Sequence, residues 1–411
     1  MLHSGFTPEW TMRNVERVHV VGAGPVGLLL TALLQSIDGL SVQLYEKRAE
    51  YTRTRMVHLQ SYLVANSVDS YREDHLDGEN VEAIFDPVEI DEGLAFRQSM
   101  PSDVMNLLRE WSVGFCPLNA IEQSLSDLID ARGSNSVQRV AGEVSAEDAI
   151  AMLRPGHIVI DCTGSRSLLR DHLSLGAPGR GANTVNIRLE YALVITFLYG
   201  EEYACNEYCK YYKNIETPQY KFIPAVHRTY YDGKVSHVTG IVNITADEYE
   251  AMPSRFDGAW LREHFPEVAW SMDYFIDKVK QETNGEILRD LEIIRIPLDL
   301  YRARNATSRQ WRMEGPGDHP LSSSAVFLLG DSAIGSPYFQ SISLGFECAM
   351  LLAGLIGEGE LTLREAFDRY ELFMYKQWLR VYMRSKMIKH NKDLFESVDD
   401  PFALLDLLHI Y

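Results

Sequence analysis

Six residues, Gly22-Ala23-Gly24-Pro25-Val26-Gly27, stand between two apolar runs, Val18–Val21 and Leu28–Leu34. A β-branched run followed by a glycine turn and a helical run is a strand-turn-helix pattern. Each glycine has a separate task in such a turn. Gly22 permits the tight exit from the strand, Gly24 lets the backbone approach a pyrophosphate, and Gly27 lets the helix pack close to the sheet. Pro25 and Val26 lie where the helix opens, and its free N–H groups and partial positive charge would face the phosphates. A second apolar run, Ser41–Tyr45, ends in Glu46, whose carboxylate can accept hydrogen bonds from a ribose diol.

Three further segments carry chemistry. Lys47, Arg48 and Arg53 follow Glu46 within a charged stretch that runs to His58-Leu59, and such cations suit a pyrophosphate or adenosine end. Asp161-Cys162-Thr163-Gly164-Ser165-Arg166 follows the apolar run His157–Asp161, which places Thr163 and Gly164 in a strand-end turn among hydroxyls and arginines. Gly330-Asp331-Ser332 follows Ala325–Leu329 and leads through Pro337 to a helix expected to start near Gly345. Asp331 can accept from a sugar-alcohol hydroxyl, and the helix can direct its dipole at a ring on which negative charge develops.

The elements that must hold these turns are an alternation of strands and helices. Helical spacing covers Met105–Trp111, Ala120–Ala131 and Ala146–Leu153. From about 183 to 310 the pattern changes to long runs of β-branched and aromatic residues, which read as antiparallel sheet. The segment from Leu363 to Lys392 is a charged amphipathic helix. The expected division is a nucleotide-binding domain over 15–182 and 320–360, an inserted β-sheet layer over 183–319, and a helical segment over 361–411.

Composition excludes several classes. The net charge of -19 opposes a phosphate backbone, so nucleic acid is not an expected partner. The five cysteines are scattered and odd in number, which argues against a disulfide framework; Cys205 and Cys209 lack a nearby second pair for a metal. The first residues carry early charge and no apolar core, and no apolar run reaches membrane-span length, so a cytoplasmic location is expected.

Taken together, the GAGPVG turn, Glu46, the Thr163-Gly164-Ser165-Arg166 turn and Gly330-Asp331-Ser332 resemble, in order and spacing, flavoprotein monooxygenases of the para-hydroxybenzoate hydroxylase fold. The stretch from Glu46 to Leu59 is similar to the monooxygenase domain of the MICAL proteins. The resemblance implies an α/β fold: a Rossmann-like FAD-binding domain with a parallel sheet, an inserted mainly antiparallel substrate domain, and C-terminal helices. It implies that Arg48 and Arg53 approach FAD, and that the chain is a free-standing enzyme without calponin-homology or LIM modules. The implied reaction oxygenates a small organic substrate with O2 and NAD(P)H through a flavin C4a-hydroperoxide. This sequence departs from the family in having Thr163 where an aspartate precedes the glycine, Ile334 where many members have histidine, and Asn119 or Gln123 where a helical arginine is common. No catalytic side chain is assigned; Tyr191, Tyr199, His227, His237 and His58 are pocket candidates. A flavin oxidase or reductase is the alternative. A flavin-dependent halogenase is less favoured, because no lysine lies between Lys47 and Lys210.

Overall fold

In a computed structural model, residues 10–53, 56–67, 97–113, 115–133, 136–173, 183–200, 222–230, 235–283, 286–309, 323–336 and 341–397 are described. The described parts of Met1–Ile187 and Leu300–Tyr382 form one compact unit, and those of Arg188–Asp299 and Met383–Tyr411 form a second.

The first unit is built on a five-stranded parallel sheet. Its strands are β1 (Arg17–Val21), β2 (Ser41–Glu46), β5 (Val137–Ala141), β6 (His157–Asp161) and β12 (Ala325–Leu328), in the order β12-β6-β1-β2-β5. β3 (Met56–His58) and β4 (Phe115–Pro117) form a separate antiparallel pair. The chain leaves β1 toward β2 on one side and returns to β6 on the other, so the strand order reverses beside β1. In open parallel sheets that reversal opens a crevice at the carboxyl ends of the strands, where ligands bind.

The helices of this unit are α1 (Pro25–Leu34), α2 (Ser102–Ser112), α3 (Leu118–Ala131), α4 (Ala146–Ala151), and α8 (Ser341–Gly357). Leu28, Leu29, Leu30 and Leu34 are wholly buried, because α1 packs against both α3 and α8. α1 starts three residues before the apolar run that marks it in sequence. Gly24 is its N-cap and Pro25 its first residue, where the missing N–H costs nothing. α8 likewise opens at Ser341, a full turn before Gly345.

The second unit holds β8 (Phe222–Tyr230), β9 (Val235–Ile244) and β10 (Arg255–Phe256), with most of β7 (Thr184–Tyr199) and β11 (Ile287–Ala303). The sheet order is β10-β11-β7-β9-β8, with β13 (Ile334–Gly335) pairing antiparallel to β11 at Tyr301 and Arg302. Three helices that sequence patterning missed also lie here: α5 (Ala246–Ala251), α6 (Gly258–His264) and α7 (Pro266–Thr283). Leu261, Met272 and Ile276 from α6 and α7 share a core with Leu193, Ile195 and Phe197 of β7.

α9 (Leu363–Ser397) starts where the charged amphipathic stretch was expected and ends five residues beyond Lys392. Its residues up to Tyr382 belong to the first unit. Tyr370 is fully buried, donates to the Leu328 carbonyl at 2.6 Å and meets Phe327 edge-on. Among the described residues, no helix is long and apolar enough to cross a membrane, and no group of three potential metal ligands is present.

Candidate functional site

The glycine turn sits at the reversal point. Gly22 has φ +104, a backbone conformation that favours glycine, and a Cβ there would lie 2.7 Å from the Cys162 carbonyl oxygen. A Cβ on Gly27 would collide with the Gly22 carbonyl, so this glycine closes the helix onto the turn. Gly24 differs from both. Its φ of -74 suits any residue, and a Cβ would meet only the Arg53 guanidinium, at 3.5 Å. The described protein atoms therefore do not themselves demand glycine at position 24.

Gly24 lines a cavity of about 510 Å³, within the usual size range of ligand pockets. Of the residues expected at the site, Gly22, Gly24, Pro25, Val26, Glu46, Lys47, Arg48, Arg53, Thr163, Gly164 and Asp331 line it. Gly27 and Gly345 are not among the lining residues. Gly345 lies inside α8 rather than at its start, and a Cβ there would stand 2.6 Å from Val26 Cγ2. Its role in the structure is close packing of α8 on α1. Pro337 falls outside the described residues, as do the side chains of His58, Tyr199, His227 and His237. Tyr191 packs on Tyr249, 4.6 Å between ring centroids, at the edge of the second unit's core.

One side of the cavity is an ion network. Glu46 accepts from the Ala23 N–H at 3.0 Å, from the Arg48 N–H at 2.9 Å, and from the Arg48 guanidinium at 3.1 and 2.9 Å. Burial opposes its charge, but these Arg48 and Ala23 hydrogen bonds outweigh it and hold its carboxyl below the ordinary range. The Arg48 guanidinium also reaches Glu122 Oε1 at 3.4 Å, and Arg53 pairs with the same oxygen. Glu122 is wholly buried on α3, and its Oε2 has no hydrogen-bond partner, nor has the buried Asn119 Oδ1 one turn earlier. Four donors already fill the acceptor sites of Glu46. A ribose diol would therefore have to displace Arg48, and that would free a guanidinium beside the glycine turn.

The opposite side is organised by Asp161. This carboxylate is completely buried at the end of β6 and accepts five hydrogen bonds. Thr163 donates its N–H at 2.9 Å and its hydroxyl at 2.6 Å, Ser167 its hydroxyl at 2.7 Å, Leu169 its N–H at 2.8 Å and Ser332 its hydroxyl at 3.1 Å. Thr163 thus serves the turn through its hydroxyl. The Ser332 hydroxyl also accepts the Gly164 N–H at 3.0 Å, which ties the Thr163-Gly164 turn to the Gly330-Asp331-Ser332 turn. Arg170 holds the latter turn from outside, with its guanidinium at 3.4 and 3.3 Å from the Asp331 and Ser332 carbonyls and over the Tyr301 ring. Tyr301 donates to the Asp331 carbonyl at 2.8 Å, and burial pushes its phenol up to about 12.

Sequence reading had not singled out Glu122, Ser332, Arg170 and Tyr301 as site residues. Glu122 left a trace: it is a carboxylate on the stripe of Leu118, Ile121, Leu125 and Ile129 that α3 buries. The other three act through contacts distant in sequence.

No protein-family model matches the chain, and no curated protein matches it in sequence. Solved structures do share its architecture. The chain's parallel sheet, glycine turn and antiparallel sheet define an α/β fold class. Within it, the tetrameric form of 2-methyl-3-hydroxypyridine-5-carboxylic acid oxygenase is similar over 94% of this chain and 94% of that one, with TM-score 0.50 and 14% identity. Tetracycline destructase Tet(51) is similar over 94% and 99%, with TM-score 0.46 and 13% identity. The flavin-dependent halogenase CmlS is similar over 90% of this chain, with TM-score 0.49 and 13% identity, and this chain spans 63% of its length. At these identities the likeness is one of fold.

Arg53→Ala removes a cation that pairs with Glu122 and stands 3.5 Å from the place of a Cβ on Gly24. It is expected to weaken flavin binding by about 1.5–3 kcal/mol, the range for a charged hydrogen bond. Titration of apoprotein with FAD would measure it; an unchanged Kd would reduce this side chain to a partner for Glu122.

Proposed function

We propose that the chain is an FAD-dependent monooxygenase that uses O2 and NAD(P)H to oxygenate a small organic substrate. The observation that carries this reading is Gly24, a glycine that the fold does not require, open to a cavity at the point where the strand order reverses. The residues present fit FAD. The turn from Gly22 and the N-terminus of α1 would take the pyrophosphate, Glu46 the ribose, and Arg48 and Arg53 the negative charge, as the MICAL-type pattern implies. Asp331 and the turn of Thr163 and Gly164 lie across the same cavity for the flavin end. The orphaned Glu122 and Asn119 oxygens are buried acceptors beside this space.

FAD, when bound, would supply the electron and oxygen chemistry. The chain's own part is to bind, orient and exclude water. Asp161 fixes two backbone turns against each other, so the cavity wall is set before any ligand arrives. Within this reading the antiparallel sheet of the second unit is the part assigned to the organic substrate.

The described chain has one glycine turn of this kind, so NAD(P)H is expected to bind transiently and leave after hydride transfer. Flavin bleaching under anaerobic conditions should be slow with NADPH or NADH alone and faster once the organic substrate is present, because substrate closes and aligns the site. Stopped-flow absorbance reads both rates. Bleaching by an organic substrate directly, with neither nicotinamide active, would replace this reading with an oxidase. A strict halide requirement for product formation would replace it with a halogenase.

A further inference from the structure

On the face of the parallel sheet covered by α4 lies a second cavity, of about 480 Å³. Its floor is polar, which is unusual for the face of a parallel sheet. His19 of β1 is 4% exposed, yet its two ring nitrogens stand 3.0 Å from the Tyr45 hydroxyl and 3.0 Å from His157 Nδ1. Tyr45 in turn donates to Gln43 Oε1 at 2.8 Å. The walls bring in two arginines, Arg17 and Arg154.

The charge balance of this cavity is what calls for a ligand. Among the described residues, neither Arg17 nor Arg154 has a carboxylate within salt-bridge distance, although the chain carries a net charge of -19. Arg17 Nε is buried with no hydrogen-bond partner. The two acids on the wall are engaged elsewhere: Glu143 pairs with Lys47 at 2.8 Å, and Asp148 caps α4 through Ser145. Burial, with the two guanidiniums adding to it, disfavours the protonated form of both imidazoles, and His19 is brought down to about 4. The positive potential of the two guanidiniums, which adds to burial, would be relieved by an anion. A metal cation is excluded by the same two arginines.

We propose that this cavity binds a phosphate-type dianion, held by Arg17, Arg154 and His157 above the floor of His19, Tyr45 and Gln43. Two unpaired guanidinium forks can each give two parallel hydrogen bonds to such an oxyanion. Tyr45, Gly142, Glu143 and Val144 border both this cavity and the larger one, so the two sites share a wall.

Isothermal titration of the protein as purified, with its flavin retained, tests this with inorganic phosphate and, separately, glycerol 3-phosphate. The expected result is one site with a Kd of about 1 mM or tighter for at least one of the two. Tighter binding of glycerol 3-phosphate would point to a phosphorylated metabolite, and tighter binding of inorganic phosphate to the free ion. Arg17→Gln and Arg154→Gln should each weaken binding about tenfold or more, the loss of a charge-assisted contact. Neither arginine holds a carboxylate, so both variants should melt close to the parent, which keeps the measurement interpretable. No binding of either probe, or equal binding by parent and both variants, overturns the proposal.

Discussion

Gly24→Val is expected to purify as a folded protein without flavin. The backbone at Gly24 has ordinary dihedral angles, and a side chain there meets little of the protein itself. Valine is a poor N-cap, so a stability loss of about 1 kcal/mol is expected for α1. In a unit of this size that lowers Tm by roughly 2–4 °C. The same side chain would fill the space over the turn that a pyrophosphate needs. Affinity for FAD should fall at least about a hundredfold, or roughly 2.7 kcal/mol. Gly22→Val is the contrast, because its Cβ would strike the Cys162 backbone, and it should fail to fold. Absorbance at the flavin band, set against a melting curve, separates the two outcomes. A Gly24→Val protein that keeps a full complement of flavin would place the cofactor elsewhere.

Asp161→Ala should be strongly destabilising. It leaves two backbone N–H groups and three hydroxyls without the acceptor that a fully buried carboxylate gave them. Removing one member of such a buried charged network costs about 3–5 kcal/mol. Asp161→Asn is the informative second variant. One amide oxygen can still serve Thr163 and Ser332, and Ser167 can turn its hydroxyl to accept. The Leu169 N–H, however, would face an NH2 group, so a loss of about 1–3 kcal/mol remains. Chemical denaturation of the three proteins should rank them wild type, Asn, Ala. Three coincident curves would show that the loop is held by other contacts.

The β1-α1-β2 unit was legible because all its determinants are local. β-branched runs, a glycine turn and a terminal acid lie within about thirty residues, as such a unit requires. Eight of the eleven expected residues that line the cavity lie in this unit or just after it, whereas Thr163, Gly164 and Asp331 reach it from the ends of β6 and β12. Element starts were harder. The helix signal at α8 was read from Gly345, but that glycine reports a close approach to Val26, a contact between two helices that no local pattern encodes. The helices of the second unit were hidden in a stretch dominated by strand-like residues. α5 and α6 are short, and α7 carries an exposed Trp270 stacked on a half-buried Tyr274, which weakens its apolar periodicity. Asp161 was visible in sequence, but not its use, because the partner Ser332 lies 171 residues away.

That separation has a consequence for how the protein is made. The edge strand β12 and Ser332 complete the parallel sheet and its turn, yet everything from β7 to β11 is synthesised before them. At cellular elongation rates of about 5–20 residues per second, the nascent β6 waits roughly 10 to 30 s for its neighbour. Throughout that interval the Asp161 carboxylate lacks one of its donors and β6 presents an unpaired edge. A chaperone that shields strand edges would find its substrate here, in a half-finished nucleotide fold on the ribosome, and any slowing of translation between codons 161 and 325 would lengthen the exposure.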